Sequence, residues 1–167
     1  MQQRPRIIPR LSKTDKRIET AGTILLLAIW GFTMFAYVRF PETIPIHFNA
    51  SGKADDFGHK ATFLLLPAIA TILYWGLTTL NKYPHLFNYM VRITEANAPY
   101  QYKVATRMIR YLKLGVIIIF SMIMISVYLT SIGKTDGISR WFLLFAIIFL
   151  LFPVFYAVIH RKEKSQL

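Results

Sequence analysis

Residues 141–160 read WFLLFAIIFLLFPVFYAVIH, twenty positions without an Asp, Glu, Lys or Arg. A helix rises about 1.5 Å per residue and the hydrocarbon core of a bilayer is roughly 30 Å thick, so about 20 apolar residues cross it. Three further uncharged runs, 20–38, 61–81 and 114–133, are 19 to 21 residues long. Lipid gives backbone groups no hydrogen-bond partner, which restricts spanning segments to helices and closed barrels. These continuous apolar runs lack the alternation of barrel strands. The expected fold is an all-α integral membrane protein, a four-transmembrane-helix bundle with spans at about 21–40, 61–81, 114–133 and 141–160.

Composition agrees with this solvent: 54% of the residues are hydrophobic and 17% charged. The first run follows a polar leader, exceeds the apolar core of a secretory signal and has no small-x-small cleavage pattern, so it reads as a retained anchor. The absence of cysteine removes disulfides, thiolate metal sites and thiol catalysis.

The net charge of +12 is explained by its distribution. Six cations precede the first span, six lie in or beside segment 82–113 and three follow the last span, fifteen in all, against five on the other side. The eight acids divide evenly. By the positive-inside rule the N and C termini are cytoplasmic and loop 40–60 is extracytoplasmic. Trp141 and Tyr37 fall at the expected outer boundary and Tyr83 and Tyr111 at the inner one, as aromatic belts do. This charge pattern orients a membrane protein and predicts no nucleic acid partner. Lys103, Arg107 and Arg110, spaced i, i+4, i+7, are expected to meet the anionic headgroups of the lipid bilayer.

Residues 1–20 hold Pro5, Pro9 and mixed charges without an apolar period and are expected to form a cytoplasmic tail, disordered or lying on the surface, as are residues 161–167. Pro67 and Pro153 each remove a backbone donor and are expected to bend their helices. In segment 82–113, Thr94 and Asn97 are candidate N-caps and Pro99 fits the first turn of a helix continuing into the third span. Asp136-Gly137 marks a tight external turn. No Asp, Glu, Lys or Arg lies inside the four uncharged runs, which argues against an ion-coupled pump.

Loop 40–60 is more patterned than a tether requires. Ile44, Ile46 and Phe48 alternate with Pro45, His47 and Asn49, the period of an extended segment with one apolar face. A turn over residues 49–52 would return the chain as a hairpin-like loop between the first two helices, bringing His47 and Asn49 to Asp55 or Asp56. A carboxylate beside an imidazole fixes its tautomer and suits it to acid-base work or to a polar ligand. The candidate ligand- or partner-binding residues are His47, Asn49, Asp55 and Lys60, with Gly52 and Gly58 as turn-forming positions. His47, Asp55 and His59 are the candidate metal ligands, although their spacing matches no strong metal pattern.

The residues Pro41, Ile44-Pro45-x-His47-Phe48-Asn49-x-x-Gly52-x-x-Asp55-x-x-Gly58-x-Lys60 resemble the signature of a bacterial membrane domain of unknown function that also forms the N-terminal part of the SdpI-like toxin-immunity proteins. The stretches Phe87-Asn88-Tyr89, Ile93-Thr94-Glu95-x-Asn97 and 102–113 resemble the cytoplasmic segment of its stand-alone members. The resemblance covers about residues 39–113 and implies a protein of the bacterial inner membrane, acting in immunity to a secreted peptide toxin or in signalling. SdpI-like proteins carry an additional C-terminal membrane half, and Pro99 interrupts a charged helical turn of the family pattern. The resulting expectation is a non-enzymatic protein whose external loop recognises a peptide, an envelope component or a membrane-protein partner. The alternative is a small membrane enzyme or metal-dependent protein with its site at the outer face.

Overall fold

The computed structural model describes residues 4–161. Its elements are α1 (Lys13–Tyr37), a hairpin of β1 (Thr43–Phe48) and β2 (Ala54–His59), α2 (Leu65–Leu80), α3 (Ala98–Ser131) and α4 (Arg140–Arg161). The four helical segments are long and apolar enough to cross a membrane. Residues 1–3 of the expected N-terminal tail and 162–167 of the C-terminal one lie outside the described residues.

The first helix starts eight residues before the expected span. Ser12 and Asp15 form a capping box: Ser12 Oγ accepts from the Asp15 amide at 3.2 Å and Asp15 Oδ2 accepts from the Ser12 amide at 2.9 Å. Two orphan donors of the first turn are thereby satisfied. Residues 13–20, expected in the tail, are therefore helical, and Ile18 is buried.

Pro67 also departs from expectation. It occupies the third position of α2, directly after the 3-10 turn Lys60–Leu64. There its missing N–H is one of the four a helix cannot pair internally, so it marks an entry and breaks no interior bond.

The α3 helix is the axis of the bundle, packed against α1, α2 and α4. Gly115 allows α4 to approach α3, since a Cβ on it would lie 2.0 Å from Phe149 Cε2. At the end of the bundle nearest the termini, α1, α2 and α3 share a ladder of polar contacts. Arg107 grips Asp15 with Nε to Oδ1 at 2.7 Å and Nη2 to Oδ2 at 3.2 Å, in a forked pairing.

One turn further along, Glu19 takes Arg110 at 3.2 Å and is bonded by Lys113. The ammonium of Lys113, 1% exposed, also donates to Thr78 Oγ1 at 2.9 Å and lies 4.3 Å from the centre of the Tyr74 ring. The Tyr74 hydroxyl in turn meets Thr23 Oγ1 at 2.8 Å. Two of the three cations expected to face lipid headgroups, Arg107 and Arg110, are thus turned inward. Lys103 is exposed.

Removing one partner of a buried ion pair strands the other and costs about 3–5 kcal/mol. Asp15→Ala is expected to destabilise the purified protein by about 3 kcal/mol, read from denaturant or thermal unfolding in micelles. The double variant Asp15→Ala, Arg107→Met should lose clearly less than the sum of the two single variants. Strict additivity would show that the pair is not coupled.

Candidate functional site at the hairpin

The base of the hairpin is held by aromatic packing. The Phe40 and Phe63 rings meet edge to face with centres 4.8 Å apart, Tyr128 of α3 stands 5.9 Å from Phe40, and Ile44 is 1% exposed. Beside them Lys60 reaches Glu42 Oε1 at 2.8 Å, and its amide donates to the Glu42 carbonyl at 2.9 Å. The hydrogen bond from Lys60 holds the Glu42 carboxyl below its ordinary value. His59 Nδ1 accepts from the Ala61 amide at 3.1 Å, capping the 3-10 turn, while Nε2 lies 3.3 Å from Glu42 Oε2. Both ring nitrogens of His59 are therefore occupied.

The strands pair antiparallel as Thr43 with His59, Ile44 with Gly58 and Pro45 with Phe57, then as His47 with Asp56 and Phe48 with Ala54. Ile46 is an extra residue on β1 and Asp55 an extra residue on β2, so two bulges offset one another and the register recovers at Phe48. Bulges re-aim side chains. Ile46, expected on the inner face with Ile44 and Phe48, is turned out and exposed, while Pro45 is buried. Between the bulges, His47 Nδ1 and Asp55 Oδ1 lie 2.5 Å apart. With the imidazole neutral, Nδ1–H donates to the carboxylate and Nε2 is the acceptor.

Asn49 shapes the tip. Its side-chain oxygen accepts from the Ser51 amide at 3.0 Å, the Ser51 hydroxyl at 2.6 Å and the Lys53 amide at 3.1 Å. Asn49 is thus a structural turn residue of the kind that bonds its own backbone. Gly52 follows with φ of +82°, and its carbonyl accepts from the Ile138 amide at 2.7 Å. Lys53 forms an antiparallel bridge with Gly137, so the tip is clamped to the α3–α4 loop. Gly58, expected at a turn, instead stands within β2, where an added Cβ would lie 3.0 Å from the Ile46 side chain.

The clamped hairpin roofs a cleft of about 530 Å³. Its walls are β1, Phe63, Leu66 and Ile69 of the α2 segment, Ile123 and Val127 of α3, and Ile138 and Phe142 at the start of α4. His47 and Thr62 are the polar side chains on this lining. Of the candidates, His47 and Asp55 are brought together. Asn49 is spent on the tip and Lys60 on Glu42. The proposed metal trio is divided, since His59 belongs to the base, and among the described residues no three His, Asp or Glu side chains converge on a metal position. The apolar cleft walls and the 136–138 clamp were not foreseen. Asp136-Gly137 signalled a turn but carried no sign of its partner.

One comparison with known proteins falls on this region. Residues 24–71, from the middle of α1 through the hairpin into α2, match the family described as Domain of unknown function (DUF1648). An uncharacterized protein of the archaeon Archaeoglobus fulgidus is 31% identical over 86 residues, 47% of this chain and 47% of its own. The chain thus matches about half the length of that curated relative. No solved structure matches significantly.

A Cβ at Gly52 would stand 2.6 Å from the Ile138 carbonyl oxygen, and the left-handed backbone there costs a non-glycine residue about 1–2 kcal/mol. Gly52→Ala is expected to release the tip, raising amide hydrogen exchange across residues 52–56 at least tenfold. Exchange in α1 should be unchanged. Unaltered exchange at the tip would show that the clamp does not hold it.

Proposed function

We propose that the chain is an integral membrane recognition protein, with cytoplasmic termini and the hairpin outside, that captures an apolar segment of a peptide or envelope component in the cleft beneath β1. One observation carries this reading: a hairpin fixed at both base and tip covers an apolar cleft whose lining includes one oriented imidazole. Pre-formed apolar clefts with a few placed polar groups are the usual form of ligand sites. His47 Nε2 accepts a hydrogen bond from the ligand, and Asp55 holds the tautomer that makes it an acceptor. Immunity to a peptide toxin, which the resemblance to SdpI-like proteins implies, is one form of such capture.

The orientation is tested in the cysteine-free background. Ser51→Cys is expected to react with a membrane-impermeant maleimide added outside intact cells, and labelling only after the cytoplasmic face is opened would reverse the topology.

Recognition is tested with a photo-cross-linking residue at Ile46, beside the cleft. A discrete non-lipid adduct should form, disappear when Val127→Trp fills the cleft and weaken about tenfold in His47→Ala, the effect of about 1.4 kcal/mol from one lost hydrogen bond. Adducts indifferent to both substitutions would remove the cleft as a binding site.

A further inference from the structure

A second cavity, of about 430 Å³, lies at the opposite end of the bundle, between the last turn of α2, the connector 84–91, the first turns of α3 and the last turn of α4. Its lining is graded. Gln101 stands in the first turn of α3, and Met108 and Ile109 lie two turns further in, about 12 Å along the axis. α4 runs antiparallel to α3, so His160, near its end, also lies toward this end of the bundle, about a turn inward of Gln101, with Tyr156 one turn deeper. Gln101 and His160 thus lie toward the end of the bundle, and Met108 and Ile109 supply hydrocarbon further in.

His160 is oriented. Its Nδ1 lies 2.9 Å from the Tyr156 carbonyl, which can only accept, and its ring stacks on Tyr156 with centres 4.2 Å apart. Nδ1 therefore carries a proton and Nε2 is left for a ligand, as acceptor in the neutral ring and donor in the charged one.

The connector wall is strapped down from the N-terminus. Arg4 donates to the carbonyls of Phe87 at 2.7 Å and His85 at 3.2 Å, and its guanidinium lies 5.7 Å from the centre of the Tyr89 ring. The buried Tyr102 hydroxyl donates to the Pro5 carbonyl at 3.0 Å. The strap spans more than eighty residues of sequence, and it gives the cavity a fixed wall before any ligand arrives. Burial raises the Tyr89 phenol above its ordinary pKa, keeping that wall neutral.

We propose that this cavity binds the hydrocarbon chain of an amphiphile with an acidic head, a carboxylate or phosphate, placed at Gln101 and His160. Three observations select this occupant. The polarity gradient matches a molecule with one polar end. The mouth, where Leu86 and Met90 are exposed, continues the apolar surface of the helices, from which a chain can enter. Finally, Lys82, just past the end of α2, and Lys103, in the first turns of α3, are both exposed at this end of the bundle, a basic surface suited to an anionic head. A free fatty acid and an acyl chain of an anionic phospholipid share this chemistry.

The test is native mass spectrometry of the full chain, titrated separately with oleic acid, with phosphatidylglycerol and with the neutral ester methyl oleate. One saturable adduct is expected with oleic acid, with phosphatidylglycerol or with both, the pattern identifying the source, and binding of methyl oleate should be at least tenfold weaker. Ala105→Phe, which fills the cavity from α3, should abolish the adduct. Ala157→Phe makes the same test from α4 if the first variant does not fold. Gln101→Ala with His160→Ala should weaken binding about tenfold or more. Val127→Trp, at the hairpin cleft, should leave it unchanged. Non-saturable adducts, equal binding of the ester, or adducts unaffected by the two filling variants would overturn the proposal.

Discussion

The ion pair between Asp15 and Arg107 is the constraint on which the geometry of the bundle depends. Apolar surfaces between helices supply little net attraction where the surrounding solvent is also apolar, so small residues and polar contacts set how helices meet. Asp15 and Glu19 lie one helical turn apart on α1, and Arg107, Arg110 and Lys113 step along α3. These two rows engage in one register, since sliding either helix by a turn would place carboxylates against the wrong cations. Lys113 carries the register across to α2 through Thr78 and Tyr74. Three helices are fixed in rotation and depth before any loop is considered.

That fixed frame explains the order at the other end. Tyr128 of α3 is positioned to meet Phe40 at the end of α1 and, with Phe63 ahead of α2, to receive Ile44. A two-stranded hairpin alone is marginally stable in water. This one has its base in the aromatic cluster and its tip bonded to residues 136–138, so its bulges are held in place. The His47 and Asp55 pair is exposed, and such pairs contribute only about 0.2–1 kcal/mol to stability. Its position is set by the strands, and its chemistry remains available to a ligand.

Much of this frame was readable in advance. The four uncharged runs declared helices long enough to cross a membrane, and the alternation after Ile44 with the turn at Asn49 declared a hairpin carrying His47 toward Asp55. What escaped depended on relationships between distant segments. Asp15 and Glu19 lie about ninety residues from their partners, and their pairing rests on the relative rotation of α1 and α3, which neither segment records. Arg107 and Arg110 at helical spacing look the same whether they face headgroups or carboxylates. The paired bulges left no mark, because Ile46 and Asp55 fit an unbroken strand equally well. Pro67 read as a bend, since the 3-10 turn ahead of it, which makes it a first-turn residue, has no strong sequence sign.

Ile138 takes part in two structures at once: its amide holds the hairpin tip, and it lines the cleft beneath that tip. It leads directly into α4, a helix of 22 residues and thus about 33 Å in length, whose far end lines the second cavity through Tyr156 and His160. α4 therefore acts as a shared rod between two compartments on opposite sides of the molecule. The length of that helix sets the distance between the two compartments, each shaped by an opposite end of one element.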